Sequence, residues 1–204
     1  MNNDISSAPR ESAEKVYTII AGINGAGKTS LYRVLKDTDE LGLRINIDEI
    51  VMKEGDWKDP LLQVQAGKKA MKLINECIEN GVSFHHETTL PGAVIMRQIN
   101  KAKEHGFKIV LYFVGIDDVK TAIKRVHKRV AMGGHGIDDQ YIIKRYSQLK
   151  DRLSQILPLC DTAIMFDNTK RFRQIAVILD NKLYDCDRDL PNWFIDLIDE
   201  IPDI

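Results

Sequence analysis

A glycine-rich loop between an apolar segment and a helical segment constrains the fold more than any other feature of this chain. Residues 16–21 (VYTIIA) are apolar and rich in β-branched and aromatic side chains, which predicts a strand buried on both faces of a parallel sheet. The loop follows at once as residues 22–29 (GINGAGKT), and Leu31, Val34 and Leu35 then recur at helical spacing. A strand, a short loop and a helix in this order open an α/β fold.

The same loop carries the pattern of a phosphate-binding loop. It matches G-x-x-x-x-G-K-S/T in full and lies between a predicted strand and a predicted helix, as the mechanism requires. Its backbone N–H groups can point at an anion, Lys28 can reach the β- and γ-phosphates, and the Thr29 hydroxyl can bind Mg²⁺. The alternative is a chance glycine-rich turn before a helix. We predict ATP and Mg²⁺ as cofactors, with Thr29 as the metal ligand. The residues predicted to bind the nucleotide are Gly22, Asn24, Gly25, Ala26, Gly27, Lys28, Thr29 and Ser30.

The remaining chain alternates between short apolar runs and longer amphipathic stretches. The predicted strands are 43–47, 82–86, 108–115 and 162–166, and the predicted helices are 61–80, 92–104, 119–132 and 138–157. A hairpin over 174–187, turning at Asp180 and Asn181, precedes a terminal helix over 190–201. This order predicts an α/β fold: a doubly wound parallel sheet flanked by helices, with a helical lid and a C-terminal hairpin.

The length and the lack of a linker favour one domain. At about 150 residues per domain, a chain of 204 residues fits one domain better than two. No Pro-, Gly- or Ser-rich stretch divides the chain. We therefore expect a single domain over residues 1–204. Within it we distinguish a polar leader (1–15), a helical lid region (117–157) and a C-terminal hairpin and helix (171–204).

Composition argues against several classes of protein. Lys and Arg number 29 and Asp and Glu 30, so a net charge of −1 disfavours long nucleic acid tracks and anionic membranes as partners. The longest apolar run, residues 109–116, is too short to cross a bilayer, and the polar leader lacks the apolar core of a signal peptide. Three scattered cysteines fit neither a disulfide framework nor a zinc site. We expect a cytoplasmic protein without a membrane partner.

Acidic residues follow the second and third predicted strands. Asp48 comes at the end of the second strand, where it can orient an acceptor hydroxyl and take its proton, or merely cap the next helix. Glu87 and Thr88 come at the end of the third strand, where Glu87 can hold Mg²⁺ through water, bind a substrate hydroxyl or simply begin a helix. The adjacent His85 and His86 point to opposite faces of a strand, so we expect one core histidine and one half-exposed histidine rather than a metal site.

Arginines cluster around a glycine-rich joint in the predicted lid. Arg125 and Arg129 lie four residues apart on one helical face, the joint covers residues 133–136 and includes His135, and Arg145 follows in the next helix. Phosphoryl transfer develops negative charge that arginines on a mobile lid can stabilise. The alternative is a solvated basic face, the commonest role of such helices. We predict that Arg125, Arg129 and Arg145 take part in catalysis with Lys28 and Asp48.

Five segments in order resemble the zeta toxin-like kinases: AGINGAGKTS (21–30), NIDEI (46–50), FHHETTL (84–90), RVHKRVAMGGH (125–135) and DNT (167–169). The resemblance covers about residues 16–170 and implies a P-loop kinase-like fold with ATP- and Mg²⁺-dependent phosphotransferase activity. In the best-understood members of that family the acceptor is UDP-N-acetylglucosamine, phosphorylated on a sugar hydroxyl.

The resemblance also implies roles for particular residues. Lys28 would contact phosphates, Thr29 would hold Mg²⁺, Asp48 would act as general base and Glu87 would contact the acceptor. The region with Arg125, Arg129 and Arg145 matches the part of the family that provides the arginines that bind phosphate. The resemblance does not identify which of these arginines contact phosphate. We assign the acceptor to Asp48, Glu87, Thr88 and His135. Two departures, a shorter chain and the pair His85 and His86 where an apolar stretch is usual, indicate a compact branch. An antitoxin is compatible with the resemblance, but the sequence does not indicate one.

The leading hypothesis is therefore a kinase that moves the γ-phosphate of ATP to a hydroxyl of a small-molecule acceptor, such as a nucleotide sugar. A second hypothesis keeps the donor and changes the acceptor to an antibiotic, a nucleoside or a polynucleotide end. A third is a P-loop ATPase stimulated by a protein partner. The chain lacks the N-K-x-D element of guanine-binding switches and the L-S-G-G-Q signature, which disfavours the third hypothesis.

Overall fold

The computed structural model describes residues 14–38, 41–199 and 201, so most of the predicted polar leader lies outside the described residues. The strands are β1 Val16–Ala21, β2 Leu43–Asn46, β3 Phe84–Thr88, β4 Lys108–Gly115, β5 Thr162–Asp167, β6 Arg173–Leu179 and β7 Lys182–Cys186. The helices are α1 Lys28–Leu35, α2 Ile47–Glu54, α3 Pro60–Asn80, α4 Ala93–Glu104, α5 Val119–Ala131, α6 Asp139–Ser147, α7 Leu149–Ile156 and α8 Asn192–Ile198. Short 3₁₀ turns follow α1 and α7 at Lys36–Thr38 and Leu157–Leu159.

The seven strands form one sheet in the order β2-β3-β1-β4-β5-β6-β7. Neighbouring strands from β2 to β5 pair in parallel, whereas β6 and β7 add an antiparallel edge. The predicted α/β fold with a parallel sheet and a C-terminal hairpin is confirmed. Because carboxyl ends of parallel strands share one edge of the sheet, the loops after β1, β2 and β3 meet there.

The central strands form the core because helices cover both faces of the sheet. Tyr17, Ile19 and Ile20 of β1 are fully buried, as are Ile109 and Leu111 of β4, although consecutive side chains point to opposite faces. Continuous burial along a strand is typical of a parallel sheet covered on both sides. The phosphate-binding loop therefore begins at the end of a fully buried central strand.

The hairpin turns where the sequence predicts. Asp180 and Asn181 both adopt left-handed backbone conformations, with φ of 47° and 62°, as a two-residue turn between twisted strands requires. Asp and Asn tolerate this conformation better than other non-glycine residues.

Two predicted strands have different bounds, and this changes the setting of both candidate acids. The second strand ends at Asn46, whose side-chain oxygen accepts hydrogen bonds from the backbone N–H groups of Asp48 and Glu49 and so caps α2. Asp48 therefore lies in the first turn of a helix. The third strand runs to Thr88 rather than His86, so Glu87 lies within the strand and not beyond its end.

Other expectations also differ from the structure. The predicted helix over 138–157 is interrupted at Gln148 and forms two helices, α6 and α7, and the terminal helix is shorter than 190–201. His85 and His86 are both buried, so the expectation of a half-exposed histidine is wrong. Among the described residues, no helix has both the length and the apolar character needed to span a membrane.

Candidate active site

The glycine-rich loop is packed closely against two other parts of the fold. Gly25 and Gly27 have φ values of 81° and 113°, in the region that glycine adopts readily. A Cβ at Gly25 would lie 2.3 Å from the carbonyl oxygen of Ala122 in α5, and one at Gly27 would lie 2.5 Å from Nδ2 of Asn168. A larger residue at Gly25 would displace the loop from α5, whereas one at Gly27 would displace the Asn168 side chain, so backbone conformation favours glycine at both positions and backbone packing requires it at Gly25.

Lys28 lies along the inner side of this loop. Its Nζ donates hydrogen bonds to the carbonyl oxygens of Gly22 and Ile23, at 2.9 and 3.1 Å. Burial lowers the pKa of Lys28, and the nearby carboxylates of Glu87 and Asp48 oppose this shift only in part. The ammonium group is thus held at the centre of the loop, where a phosphate group would meet it.

A cavity of about 510 Å³ brings most of the predicted residues together. The predicted residues that line it are Asn24, Gly25, Gly27, Lys28, Thr29, Ser30, Asp48, Glu87, Arg125, Arg129 and His135. Two predicted loop residues, Gly22 and Ala26, lie outside this lining. Thr88 and Arg145 instead line an adjoining cavity of about 250 Å³, to which Lys28 and Asp48 also contribute.

The carboxylate of Glu87 is fixed from two sides. Its Oε2 accepts hydrogen bonds from Asn46 Nδ2 at 2.8 Å and from Arg44 Nη2 at 3.2 Å. Its Oε1 accepts a hydrogen bond from the Thr29 hydroxyl at 3.3 Å. One carboxylate oxygen is therefore committed to the neighbouring strand, and the other faces the phosphate-binding loop beside a hydroxyl oxygen.

Asp48 lies next to His135 of the glycine-rich joint. His135 Nε2 is 2.8 Å from Asp48 Oδ2, at ion-pair distance, but the angle is not that of a well-aligned hydrogen bond. Burial raises the pKa of Asp48, but contact with His135 and the charges of Lys28 and Arg129 outweigh it, so the pKa lies below its ordinary value. Asp48 is therefore ionised at neutral pH, and 41% of its side chain remains exposed.

The three predicted arginines have different environments. Arg125 donates to the carbonyl oxygens of Gly25 and Asn168, at 3.5 and 2.9 Å, and so braces the loop. Arg145 donates to Asn24 Oδ1 at 2.5 Å. Arg129 donates through Nε to the His135 carbonyl oxygen at 2.8 Å, while its buried Nη2 has no hydrogen-bond partner among the described residues. Arg129 thus lines the larger cavity and keeps one enclosed donor, Nη2, that no described residue engages.

The glycine-rich joint packs tightly against α5 and Trp57. The N–H of Gly134 donates to the Arg129 carbonyl oxygen at 2.9 Å. A Cβ at Gly136 would lie 2.7 Å from Cγ2 of Val130 and 2.9 Å from the Trp57 ring. The alternative of a fully solvated basic helix is therefore wrong for Arg125 and Arg129, which are half-buried, and holds only for the exposed Lys124 and Lys128.

Comparisons with known proteins agree with this arrangement. A sequence profile described as "Zeta toxin" matches residues 2–188. The chain belongs to the zeta toxin family. It is also 34% identical over 125 residues to an uncharacterized protein of Haemophilus influenzae, a match that covers 61% of this chain and 88% of that protein.

Solved structures share this fold at low sequence identity. A structure from the PezAT chromosomal toxin–antitoxin system of Streptococcus pneumoniae superposes with a TM-score of 0.59 at 16% identity, covering 93% of this chain and 79% of that one. The AvrRxo1-ORF1:-ORF2 complex, solved with ATP, superposes with a TM-score of 0.66 at 15% identity. This match covers 92% of the present chain but only 63% of the AvrRxo1 chain, which is therefore considerably longer.

Sequence reasoning missed several residues that support the site in this zeta toxin family member. Asn168 donates through Nδ2 to the Ala26 carbonyl oxygen at 2.7 Å and so holds the phosphate-binding loop from the side. Arg44 and Asn46 orient Glu87, and the Trp57 ring forms part of a cavity of about 460 Å³ beside Asp48. The D-N-T segment was a usable signal for Asn168, whereas Trp57 lies outside every motif.

Proposed function

We propose that this protein is an ATP- and Mg²⁺-dependent kinase that transfers the γ-phosphate to a hydroxyl of a small-molecule acceptor. The observation that carries the proposal is that Lys28 of the phosphate-binding loop and the ionised Asp48 line one cavity, with Arg129 in its wall. Membership of the zeta toxin family supports it. A donor-binding loop and a separate carboxylate at one cavity are what transfer to an alcohol requires.

On the donor side, positive groups neutralise the charge that develops on the transferred phosphoryl group. The loop N–H groups and Lys28 bind the β- and γ-phosphates, and the guanidinium of Arg129, which lines the same cavity, donates to an oxygen of the γ-phosphate. Arg145, held by Asn24 at the mouth of the loop, adds a second cation from the lid. Arg125 acts by bracing the loop rather than by direct contact.

Thr29 and Glu87 fit a magnesium ion. The Thr29 hydroxyl and Glu87 Oε1 are 3.3 Å apart, and hydroxyl and carboxylate oxygens are ligands that Mg²⁺ prefers, completed by phosphate oxygens and water. When bound there, Mg²⁺ supplies charge neutralisation and orientation of the β- and γ-phosphates. Arg44 and Asn46 would keep the Glu87 carboxylate turned toward the ion.

On the acceptor side, Asp48 orients the hydroxyl and receives its proton. The hydroxyl oxygen attacks the γ-phosphorus, the bond from that phosphorus to the β,γ-bridging oxygen breaks, and ADP leaves. Because the pKa of Asp48 lies below its ordinary value, the carboxylate is ready to accept a hydrogen bond from the hydroxyl. The proton passes to Asp48 as the new bond forms.

A nucleotide sugar such as UDP-N-acetylglucosamine is the acceptor that we propose. The family resemblance motivates this choice, and the cavity of about 460 Å³ beside Asp48 supports it because Trp57 and Tyr141 line it. Aromatic side chains pack well against the flat or apolar faces of rings. We further propose a cytoplasmic location, consistent with free thiols at Cys77, Cys160 and Cys186, and an antitoxin partner is not required.

The test is incubation with γ-labelled ATP and a panel of nucleotide sugars, nucleosides, aminoglycoside antibiotics and oligonucleotide ends. We expect label on a sugar hydroxyl of a nucleotide sugar. Asp48→Asn should reduce transfer at least about a hundredfold while ATP binding persists, because it removes the proton acceptor but not the loop. Glu54→Gln, at the far end of the same helix, is the matched control.

Two results would overturn the proposal. Transfer that persists in Asp48→Asn would remove Asp48 as base. If ATP is hydrolysed, no acceptor in the panel gains label, and a protein partner stimulates the hydrolysis, the result would favour a partner-stimulated P-loop ATPase.

A further inference from the structure

The turn between β3 and α4, residues 88–92, has an unusual backbone conformation beside the proposed acceptor site. Leu90 has a φ of 55°, in the left-handed region that leucine rarely adopts, and its side chain is fully buried. Outside the hairpin turn at Asp180 and Asn181, no other non-glycine residue that the structure describes has a positive φ. Such a conformation persists only where surrounding contacts hold it, and it is commonest at functional sites.

Among the described residues, three hydrogen bonds fix the backbone of Leu90. Its N–H donates to the Thr88 hydroxyl oxygen at 3.1 Å, and the Gly92 N–H donates to the Leu90 carbonyl oxygen at 2.8 Å. These two bonds lie within the turn. The third comes from the predicted lid region, where Arg152 of α7 donates through Nη1 to the same carbonyl oxygen at 3.1 Å. Arg152 thus joins the turn to a helix 62 residues further along the chain.

Arg152 is itself held at the break between α6 and α7. Its Nη2 donates to Gln148 Oε1 at 2.5 Å, and Gln148 is the residue at which the two helices are interrupted. A guanidinium carries its donors in a fixed planar arrangement, so bonds to two separate oxygens set its orientation. The half-buried Arg152 is therefore a fixed link between the turn and the lid rather than a mobile surface cation.

The two helices of the predicted lid region contact two different loops of the site. Arg145 of α6 donates to Asn24 of the phosphate-binding loop, whereas Arg152 of α7 donates to the turn after β3. The two guanidinium groups lie close enough to interact. Burial lowers the pKa of Arg145, the carboxylate of Asp48 opposes this shift, and the charge of Arg152 adds to it. The donor loop and the 88–92 turn are thus held by neighbouring arginines.

The 88–92 turn forms part of the wall of the acceptor cavity. Thr88, Thr89 and Pro91 line the cavity of about 250 Å³ to which Asp48 also contributes. Thr88 accepts the Leu90 N–H, and Thr89 is bonded directly to Leu90. Relaxation of Leu90 to an ordinary φ would therefore move both threonine side chains relative to the cavity.

We propose that Arg152 is a positioning residue, which holds Leu90 in its left-handed conformation and so keeps Thr88 and Thr89 in place to receive the acceptor. That the two threonines face an acceptor rests on the proposed kinase function. Arg152 makes its hydrogen bonds to Leu90 and Gln148, and neither belongs to the phosphate-binding loop. Its effect therefore falls on the acceptor rather than on ATP.

Amide hydrogen exchange, followed by NMR on the full chain without ATP or acceptor, tests the link itself. We expect Arg152→Met to speed exchange at the amides of Leu90 and Gly92 at least about tenfold, because the turn loses its external support. Arg152→Lys keeps a donor and should restore part of the protection. Arg97→Met, which changes an exposed arginine of α4, is the matched control. Unaltered exchange at Leu90 and Gly92 in Arg152→Met would overturn the proposed link.

Kinetics with UDP-N-acetylglucosamine test the positioning role. We expect Arg152→Met to raise the KM for this acceptor at least about fivefold with little change in the KM for ATP, and Arg152→Lys to recover part of the loss. A smaller folded fraction would lower the rate without changing either KM. Equal acceptor KM values in Arg152→Met and the unaltered protein would overturn the positioning role. Absence of transfer by the unaltered protein would count against the proposed acceptor, whereas the exchange measurement still decides whether Arg152 holds the turn.

Discussion

Lys28 shows how burial and charge act on one side chain of the site. Its ammonium is buried against two loop carbonyls, and its pKa is lowered by that burial, yet two carboxylates oppose the shift. A phosphate bound in the loop would provide the full negative charge that this cation otherwise lacks at close range.

Lys28→Ala removes that charge and should weaken both binding and transfer. We expect at least a tenfold higher Kd for ATP and about a hundredfold lower kcat, because in the proposed mechanism the lysine contacts the phosphates before and during transfer. Isothermal titration and labelled-phosphate transfer measure the two effects. Lys36→Ala, an exposed lysine just beyond α1, is the control. Normal ATP turnover in Lys28→Ala would contradict the assignment of the loop.

A comparison of Arg129 with its neighbour Lys128 distinguishes the effect of a positioned hydrogen-bond donor from the effect of positive charge alone. Arg129 has a buried Nη2 without a partner among the described residues, whereas Lys128 is exposed on the same helix. We expect Arg129→Gln to lower kcat about a hundredfold with little change in the Kd for ATP, because the donor acts chiefly on the transition state. Steady-state kinetics would show the effect, and an equal loss in Lys128→Gln would indicate general electrostatics instead.

At the scale of elements, the loop after β5 ties the C-terminal helix to the nucleotide side of the molecule. Asp167 Oδ1 accepts hydrogen bonds from the Thr169 hydroxyl and from the Trp193 ring N–H, at 2.6 and 3.1 Å. Asn168, which lies between Asp167 and Thr169 in the sequence, donates a hydrogen bond to the Ala26 carbonyl oxygen of the phosphate-binding loop. The element that resembles the late family motif is thus a brace rather than a reacting group.

Asn168→Asp tests that brace. Aspartate has the same size but no side-chain N–H, and its charge faces the Ala26 carbonyl oxygen, so the loop loses its lateral support. We expect a KM for ATP at least about fivefold higher, with a smaller change in kcat. Asn181→Asp in the hairpin turn is the control. An unchanged KM for ATP in Asn168→Asp would mean that the loop holds its shape without this contact.

The elements that the sequence predicted well are those with strong local signals. Strand β4 has the predicted bounds because a continuous apolar run, residues 109–114, lies between a glycine turn and a polar loop. Helix α2 was not among the predicted helices, and the one hint of it, Asp48 as a helix cap, named the wrong residue, because Asn46 caps the helix. The break at Gln148 has no glycine or proline, so the sequence carried no mark of it.

At the scale of the whole molecule, the sequence predicted most of the residues that line the larger cavity but not how they are arranged. Lys28, Asp48, Glu87 and Arg129 come from four separate segments, and parallel-sheet topology brings them to one edge. Tertiary packing alone decides where the backbone carbonyl oxygens lie. Their positions determine which arginine has an N–H group without a hydrogen-bond partner in the described part of the chain.

The buried His86 predicts a pH dependence of stability for the entire fold. Burial lowers its pKa to about 4 in the folded chain, against 6.5 for an ordinary histidine. Between these two pH values, His86 is therefore largely protonated in the unfolded chain and neutral in the folded chain. The free energy of unfolding should therefore fall as the pH drops from about 6.5 toward 4, by up to about 3 kcal/mol from this group.

Urea denaturation at several pH values measures this loss. We expect His86→Phe to have a shallower decline than the unaltered protein between pH 7 and pH 4, because phenylalanine cannot titrate. His127→Ala, which removes a histidine that is 61% exposed, should leave the decline unchanged. Parallel curves for His86→Phe and the unaltered protein would show that His86 does not contribute.

The contact between His135 and Asp48 has a consequence for the order of events at the site. The same residue that covers the carboxylate with its ring also anchors Arg129 through its backbone oxygen. If an alcohol binds at Asp48 as proposed, it must share the carboxylate with the imidazole or displace that ring. Because the ring and the carbonyl oxygen that holds Arg129 belong to one residue, we expect such a displacement to move the Arg129 guanidinium as well.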